Sequence, residues 1–213
     1  MLKFYCNPIS VNARRVWVAL LEKEIPFEPI LVNLDGDQFQ DDFTAINPLQ
    51  RVPVVVDNGL RIVESLAILD YLEAKYPTPS LMPSEPKAIA VVRMIETITV
   101  VELQPATIPL TRPLVGLEVD PHKLEAAQQR VTSILHYFEE LLNEQTYFAE
   151  DEFTLAEVVA GTLVPSLPLE NYPHLKAWSE RLTKRESWQQ TVASLEVIEA
   201  ALPNIRKILE HRS

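Results

Sequence analysis

Ser10 is the first residue of the chain whose type and position suit chemistry. It follows a predicted strand, Leu2 to Cys6, and stands directly before an amphipathic segment that starts at Val11. Serine is a preferred N-cap residue, so helix capping is one interpretation. The other is catalytic, because a helix N-terminus favours an anion and a hydroxyl there can donate a hydrogen bond to a thiolate. Asn12 is an alternative donor at the same helix start.

A Val52-Pro53 step opens the second stretch whose residues are suited to binding or chemistry. The β-branched run Val54 to Val56, the turn Asp57-Asn58-Gly59 and the return segment Leu60 to Val63 predict a hairpin. Proline donates no ladder hydrogen bond, which is tolerated at the entrance of a strand. A cis Val52-Pro53 bond would turn the backbone groups of Val52 outward, where a ligand could pair with them.

An acid-serine pair, Glu64-Ser65, follows the hairpin and opens a helix that runs to Tyr76. Ser65 suits an N-cap, and the Glu64 carboxylate suits the positive end of a helix. The helix is apolar on nearly every side, which predicts that both of its faces are covered. Together with the Val-Pro step and the hairpin, the pair indicates a binding site built into a fold.

Metal and phosphate sites are not predicted. The four histidines, His122, His136, His174 and His211, are scattered, and Cys6 is the single cysteine, so the sequence offers no metal-ligand cluster. The four glycines form no G-x-G pattern of a phosphate-binding loop. Cys6 lies inside the predicted strand without a C-x-x-C partner, and we expect it in the core.

Composition excludes several classes of function. The 213 residues carry 19 basic and 30 acidic side chains, a net charge of −11, which disfavours binding to nucleic acid or anionic membranes. No apolar run approaches the roughly 20 residues of a membrane helix. The single cysteine fits a reducing compartment, and the opening MLKFYCNPIS lacks an apolar leader segment. We therefore expect a cytoplasmic protein.

The predicted elements form two domains. Residues 1–76 alternate strand and helix in the order of an α/β thioredoxin-like domain. Residues 77–86, PTPSLMPSEP, carry four prolines and form a linker. Residues 87–213 form an all-helical bundle. The predicted elements are strands at 2–6, 27–33, 54–56 and 60–63, an irregular or helical segment at 35–46, and helices at 11–24, 65–76, 87–105, 122–143, 154–164, 173–185 and 187–210.

These motifs resemble the cytosolic glutathione S-transferase family. The segment FYCNPISVNARRV is similar to the serine-type members, such as the theta, phi and delta classes and their bacterial or cyanobacterial relatives. The capping box Thr154-Leu155-Ala156-Glu157 resembles the one that opens the core helix of the family's second domain, although aspartate is more usual there. Tyr172-Pro173-His174-Leu175 with Trp178 and Arg181 matches the next helix start. The resemblance implies the family's fold, a thioredoxin-like domain followed by a helical bundle.

The resemblance assigns Ser10 as the residue that activates the sulfur of glutathione, which acts as co-substrate. Asn12 remains an alternative, and so does Tyr5, which lies near the place where tyrosine-type members keep their activating residue. The implied glutathione ligands flank the hairpin. Arg51 meets the glycine carboxylate, the Val52 backbone pairs with the cysteinyl unit, and Glu64 and Ser65 bind the γ-glutamyl end. The full predicted set is Gln50, Arg51, Val52, Pro53, Glu64 and Ser65.

The resemblance places the electrophile between Ile9, Val11 and the proline-interrupted segment Leu103 to Leu117, in which the prolines could equally mark a packing kink. The implied activity is conjugation of glutathione to hydrophobic electrophiles, with glutathione peroxidase activity as a side reaction. The alternative is a non-catalytic module for binding or subunit assembly. An isomerase is less favoured, because the Ser-Ser-Cys-Ser type of motif is missing near Ser10. The family also implies a two-fold homodimer and no metal.

Overall fold

A computed structural model of the chain describes residues 1–149 and 151–210, and within them four strands and ten α-helices follow one another. A π-helix occupies Ile98–Leu103. The elements are β1 (Leu2–Cys6), α1 (Val11–Glu22), β2 (Phe27–Leu31), α2 (Asp41–Ile46), β3 (Val54–Asp57), β4 (Leu60–Val63), α3 (Ser65–Lys75), α4 (Pro86–Thr97), α5 (Gln104–Thr111), α6 (Pro121–Leu142), α7 (Leu155–Ala160), α8 (Pro173–Thr183), α9 (Glu186–Thr191) and α10 (Leu195–Glu210).

The chain divides into two compact units. The first consists of Met1–Met82 together with Arg185–Val197, and the second of Pro83–Lys184 together with the residues from Ile198 onward. Part of the predicted linker, up to Met82, therefore lies in the first unit. So does the segment Arg185–Val197, which the sequence-based domain division assigned to the helical bundle.

The first unit is built on a four-stranded sheet in the order β2-β1-β3-β4. Strands β1 and β2 pair in parallel, with Leu2 opposite Phe27, and the β1–β3 and β3–β4 pairs are antiparallel. A helix, α1, connects the two parallel strands, as the short parallel pair requires. This confirms the predicted thioredoxin-like α/β domain.

Alternate side chains of β1 point to opposite faces of this sheet. Phe4 is fully buried and contacts Trp17 of α1 edge to face, with ring centroids 6.3 Å apart. Tyr5 lies on the other face and contacts Phe43 of α2, at a centroid distance of 6.1 Å. Since Phe4 faces α1 and Tyr5 points the other way, Tyr5 and the α1 helix lie on opposite faces of the sheet.

A polar cluster fixes the hairpin to α3. The buried Asp57 carboxylate accepts a hydrogen bond from the Tyr71 hydroxyl (2.8 Å) and forms an ion pair with Lys75. The hydrogen bond from Lys75 is the main reason why the pKa of Asp57 lies below its usual range. The cluster thereby holds the end of β3 against the helix that begins just after β4.

Helix α9 packs antiparallel to α1 within the first unit. At the end of α1, Glu22 accepts hydrogen bonds from Arg185 Nε and Nη2 at 2.8 and 2.5 Å and from the Ser187 hydroxyl. Eight residues earlier on α1, Arg14 Nε donates to Thr191 Oγ1 at 3.3 Å. The segment that follows the second unit's helix α8 along the chain is therefore a structural part of the first unit.

The second unit is helical, as predicted, and packs around aromatic side chains. Phe148 lies edge to face with Phe138 and with Trp178, at centroid distances of 5.5 and 5.3 Å. The Glu139 carboxylate of α6 accepts hydrogen bonds from the first amides of α8, His174 N (2.9 Å) and Leu175 N (2.8 Å). This contact satisfies the free N–H groups at that helix start. Among the described residues, no helix combines the length and apolar character needed to cross a membrane.

Two sequence-based expectations about helices were wrong. Helix α3 is not covered on both faces, since Ala67 and Asp70 are exposed while Ile68, Leu69 and Leu72 are buried. The second expectation was that prolines interrupt the helix in the segment Leu103 to Leu117. The first two of them do not, because α5 runs through Pro105 and Pro109 to Thr111. The π-helix just before Gln104 lets Pro105 occupy the second position of α5, where a proline lacks no required N–H bond.

Candidate active site

Ser10 occupies the N-cap of α1, directly after β1. Its Oγ accepts a hydrogen bond from Ala13 N at 3.2 Å, and its backbone N–H donates to Asn7 O at 3.1 Å. The first turn of α1 contains no acidic residue, so no carboxylate offsets the positive end of the helix dipole there. A hydroxyl that accepts from an amide still has its own hydrogen to donate. The N-cap role and a role toward a bound thiolate are therefore compatible.

Asn7 fixes the turn that carries Ser10, and the sequence-based prediction missed it. This buried side chain donates from Nδ2 to Val32 O at 2.9 Å and accepts from Ile9 N at 3.1 Å through Oδ1. It thereby ties the end of β1 to the residue that follows β2. The Asn7-Pro8 dipeptide was the available signal, because asparagine side chains often fold back on the backbone at turns.

Three other residues lie near Ser10 in the chain, Tyr5 and Cys6 on β1 and Asn12 on α1. Tyr5 contacts Phe43 on the sheet face opposite α1. Asn12 lies half-buried in the first turn of α1. Cys6 is 2% exposed, and burial raises the pKa of its thiol to about 11. Cys6 therefore stays protonated near neutral pH, in agreement with the predicted core position.

The loop before β3 holds the predicted Gln50 to Pro53 ligands. The Val52-Pro53 peptide is cis. Within the described residues, no hydrogen bond involves the backbone N–H or C=O of Val52. The exposed Arg51 extends from the same loop, and Gln50 Nε2 donates to Thr44 Oγ1 at 3.3 Å. Val52 is 7% exposed, and its backbone N–H and C=O keep the free hydrogen-bonding capacity that strand-like pairing with a peptide ligand requires.

Asn47 stabilises the loop before β3 through side-chain hydrogen bonds to the backbone, as Asn7 stabilises the turn between β1 and α1. It is 2% exposed, donates from Nδ2 to Arg51 O at 2.7 Å, and accepts from Leu49 N at 3.0 Å. Its carbonyl accepts from Gln50 N at 2.9 Å. The sequence-based prediction also missed Asn47, which again precedes a proline.

The positions of Glu64 and Ser65 at the start of α3 differ from those predicted. Glu64, not Ser65, is the N-cap of α3, and its backbone adopts φ 68° and ψ 122°. A positive φ is uncommon for a residue with a side chain and persists where the surrounding structure imposes it, often at functional sites. Glu64 is exposed, whereas Ser65 is buried at the first helical position.

Arg15 is the partner of Ser65, and sequence reasoning did not single it out. Its side chain is fully buried, and Nη1 donates to Ser65 Oγ at 3.3 Å. A buried guanidinium at the start of α3 brings positive charge to the place where the prediction puts a carboxylate of the ligand. The available signal was an arginine, Arg15, between the apolar positions Ala13 and Val16 of an amphipathic helix.

The residues predicted for the electrophile lie in different units. Ile9 and Val11 flank Ser10 in the first unit, and both are partly exposed. Leu103 is fully buried in the second unit and is therefore a core residue. The following residues of α5 are all partly or fully exposed.

In the described part of the chain, no group of three or more His, Cys, Asp or Glu side chains is placed to hold a metal ion. His211, one of the four histidines considered in the sequence, lies outside the described residues.

Two family models match the chain. The model described as "Glutathione S-transferase, N-terminal domain" matches residues 4–80, and the one described as "Glutathione S-transferase, C-terminal domain" matches residues 73–186. The first covers Ser10 and the entire hairpin region. The second covers the capping box at Thr154 and helix α8.

Relatives of known sequence and structure match over nearly the whole chain. Glutathione S-transferase 3 of Zea mays is 33% identical over 211 residues, which covers 91% of this chain and 94% of that protein. Maleylacetoacetate isomerase of Mus musculus is 33% identical over 185 residues, with 82% and 84% coverage. The crystal structure of a glutathione S-transferase from Rhodospirillum rubrum F11 superimposes with a TM-score of 0.78 at 28% identity, covering 91% of this chain and 93% of that one.

Proposed function

Because the chain belongs to the glutathione S-transferase family, we propose that it joins the sulfur of glutathione to hydrophobic electrophiles and that Ser10 stabilises the reacting thiolate. The position of Ser10 carries this proposal. Its Oγ caps α1 through Ala13 N, it retains a hydrogen to donate, and it stands at the positive end of a helix. A thiolate that meets these groups forms at a lower pH than free glutathione, whose thiol resembles that of free cysteine.

The reaction is a nucleophilic substitution or addition. The glutathione thiol loses its proton to solvent, and the thiolate sulfur forms a bond to the electrophilic carbon. In a substitution, the leaving group departs with the bonding electrons. In an addition, the π electrons of the attacked double bond move to its other atom, which then takes a proton from solvent. The hydrogen bond from Ser10 must be strong enough to populate the thiolate yet weak enough to leave the sulfur nucleophilic.

Complementary groups support binding of the tripeptide along the hairpin. The exposed Arg51 is suited to the glycine carboxylate and the Val52 backbone to the cysteinyl unit. The buried Ser65, backed by the Arg15 guanidinium, is suited to the γ-glutamyl carboxylate, and Glu64 to the ammonium group. Gln50 and Pro53 complete the set by shaping the loop. Each charged group of glutathione thus has an oppositely charged or hydrogen-bonding partner.

Immobilised glutathione should retain the protein, and Arg51→Ala or Glu64→Ala should weaken this retention. Each variant loses a charge-assisted contact, worth about 1.5 to 3 kcal/mol, which corresponds to roughly ten- to a hundredfold in affinity. Titration calorimetry with free glutathione measures the same loss.

Arg130→Ala is the matched control, because Arg130 is an exposed arginine whose partner is Glu102 in the second unit. We expect it to bind like the wild type. A correctly folded wild type that passes through the glutathione column without retention would contradict the binding proposal.

A non-catalytic binding or assembly module is not favoured, because the named relatives include glutathione S-transferases over more than nine-tenths of the chain. An electrophile panel of aryl halides, isothiocyanates and hydroperoxides identifies the acceptor class and tests the peroxidase side reaction. We also propose a cytoplasmic location, which the single, buried cysteine supports.

We further propose that the protein is a two-fold homodimer in which the first unit of one chain packs on the second unit of the other. Exposed apolar side chains on both units, Leu49 and Leu60 on the first and Val101 on the second, support this proposal. Light scattering at micromolar concentration should report about twice the chain mass of 24.2 kDa. A particle of the single-chain mass would count against the dimer.

A further inference from the structure

Arg14 is a second arginine near Ser10, and it differs from its neighbour Arg15. It is half-buried, and its Nε donates to Thr191 Oγ1 of α9 at 3.3 Å. Thr191 is 2% exposed, so this contact fixes the guanidinium group against a rigid part of the first unit. Burial also lowers the pKa of Arg14 from its ordinary value. The group is thus a cation that has lost part of its hydration.

No carboxylate of the described residues lies within ion-pair distance of the Arg14 guanidinium, and its Nη1 and Nη2 groups donate to no acceptor there. Arg185 on the same helix pair behaves differently, because its Nε and Nη2 both bind Glu22. A partly desolvated cation without an anion is unfavourable unless a ligand supplies one. Arg14 therefore has the properties of an anion-binding side chain.

Arg14 lies one helical turn after Ser10, the residue proposed to stabilise the reacting sulfur. Its backbone N–H donates to Ser10 O at 2.8 Å, so it lies one helical turn after the N-cap. Residues four apart have Cβ atoms about 5 to 6 Å from each other on one helix face. Helical side chains also lean toward the N-terminus, which here is the Ser10 end.

Apolar side chains accompany this cation. Thr191, which anchors Arg14, is the last residue of α9, so Val192 follows the anchor directly and Leu195 opens the next helix, α10. The next large apolar side chains, Val192 and Leu195, are 60% and 77% exposed. Exposed apolar groups next to a polar anchor are typical of ligand sites.

We propose that Arg14 forms a carboxylate-binding subsite, so that the preferred electrophiles carry a carboxylate beside an apolar body. The Nη1–Nη2 edge of a guanidinium presents two parallel N–H groups, a geometry that matches the two oxygens of a carboxylate. The apolar body of the electrophile contacts Val192 and Leu195. This inference rests on the proposed conjugation reaction at Ser10 and specifies its substrate class.

Kinetics with a matched pair of electrophiles test the subsite. The pair is 4-chloro-3-nitrobenzoate, which carries a carboxylate, and its methyl ester, which does not. For Arg14→Gln we expect kcat/KM to fall about ten- to a hundredfold with the benzoate, as for a lost charge-assisted hydrogen bond, and less than threefold with the ester. Comparing each substrate with itself in wild type and variant removes the difference in their intrinsic reactivity.

Two controls separate charge recognition from packing. Arg185→Gln removes a cation from the opposite end of the α1–α9 pair. We expect it to change kcat/KM only slightly, and equally for both electrophiles. Thr191→Val keeps the charge of Arg14 but removes its anchor, and we expect a selective loss with the benzoate that is smaller than in Arg14→Gln. Melting temperatures report whether each variant is folded.

An equal loss with both electrophiles in Arg14→Gln would overturn the subsite and leave the conjugation reaction intact. So would an unchanged kcat/KM with the benzoate. If the folded wild type conjugated neither electrophile of the pair but did conjugate another member of the electrophile panel, the subsite alone would be contradicted. If it conjugated no member of the panel, the proposed conjugation would be contradicted as well.

Discussion

Ser10→Ala should lower turnover at neutral pH by roughly ten- to a hundredfold. The substitution removes a hydrogen bond to a charged sulfur, which contributes about 1.5 to 3 kcal/mol, and a tenfold rate change corresponds to about 1.4 kcal/mol. The loss should shrink at higher pH, where the thiolate forms without help. Conjugation of an uncharged aryl halide, followed by absorbance from pH 6 to 9, measures both effects.

The capping role of Ser10 requires a separate control. Losing the Oγ contact to Ala13 N should cost about 1 kcal/mol of stability, so rates are to be expressed per folded molecule. Tyr5→Phe removes a hydroxyl from the opposite face of the sheet and should change turnover less than threefold. A Ser10→Ala enzyme with normal turnover at every pH would reduce Ser10 to a helix cap.

Glu157→Ala should destabilise the fold by about 3 to 5 kcal/mol. The Glu157 carboxylate is fully buried and accepts hydrogen bonds from Phe148 N (2.9 Å), Thr154 N (2.9 Å) and Thr154 Oγ1 (2.7 Å). Burial raises the pKa of this carboxyl, whereas the three donors lower it. Alanine would leave the buried donors unsatisfied and open a cavity in the core of the second unit.

Thermal unfolding measures this loss, with an expected fall in melting temperature on the order of 10 °C for a chain of this size. Glu125→Ala is the control, because Glu125 on α6 is exposed and, among the described residues, its carboxylate accepts a hydrogen bond only from Gln129. It should change the stability by less than about 0.5 kcal/mol. A melting temperature of Glu157→Ala within 2 °C of the wild type would show that the capping box contributes little.

Local patterns were sufficient to predict the sheet and the overall fold class. The alternation in Leu2–Cys6 and the Asp57-Asn58-Gly59 turn each determine a strand or hairpin through neighbouring residues alone. The predicted bounds of β1 and β4 agree with the structure, and β3 is one residue longer. The helical character of the second unit followed in the same way from its periodicity.

Contacts between distant residues could not be predicted. Arg15 is a charged residue by sequence, yet its buried guanidinium donates to Ser65, which lies 50 positions away. The two asparagines, Asn7 and Asn47, act through backbone groups that only the folded loops bring near. The sequence therefore allowed the charged residues proposed to bind the ligand to be predicted, but not the buried residues that position them.

The placement of α9 is a second example. Nothing in its short sequence indicates that it packs on α1, because the pairing depends on Glu22 with Arg185 and on Arg14 with Thr191. These pairs join residues more than 160 positions apart. The exposed face of α3 was likewise missed, since Ala67 is apolar by type and only the fold determines that it lies at the surface.

The ultraviolet absorbance of the thiolate of bound glutathione, titrated against pH in wild type and Ser10→Ala, tests the central claim most directly. If Ser10 stabilises the thiolate, the midpoint should lie below that of free glutathione in the wild type. It should rise by about one to two pH units in Ser10→Ala, which corresponds to the loss of one charge-assisted hydrogen bond. An unchanged midpoint in folded, glutathione-bound Ser10→Ala, together with a shift in Tyr5→Phe or Asn12→Ala, would contradict the assignment and transfer it to that residue.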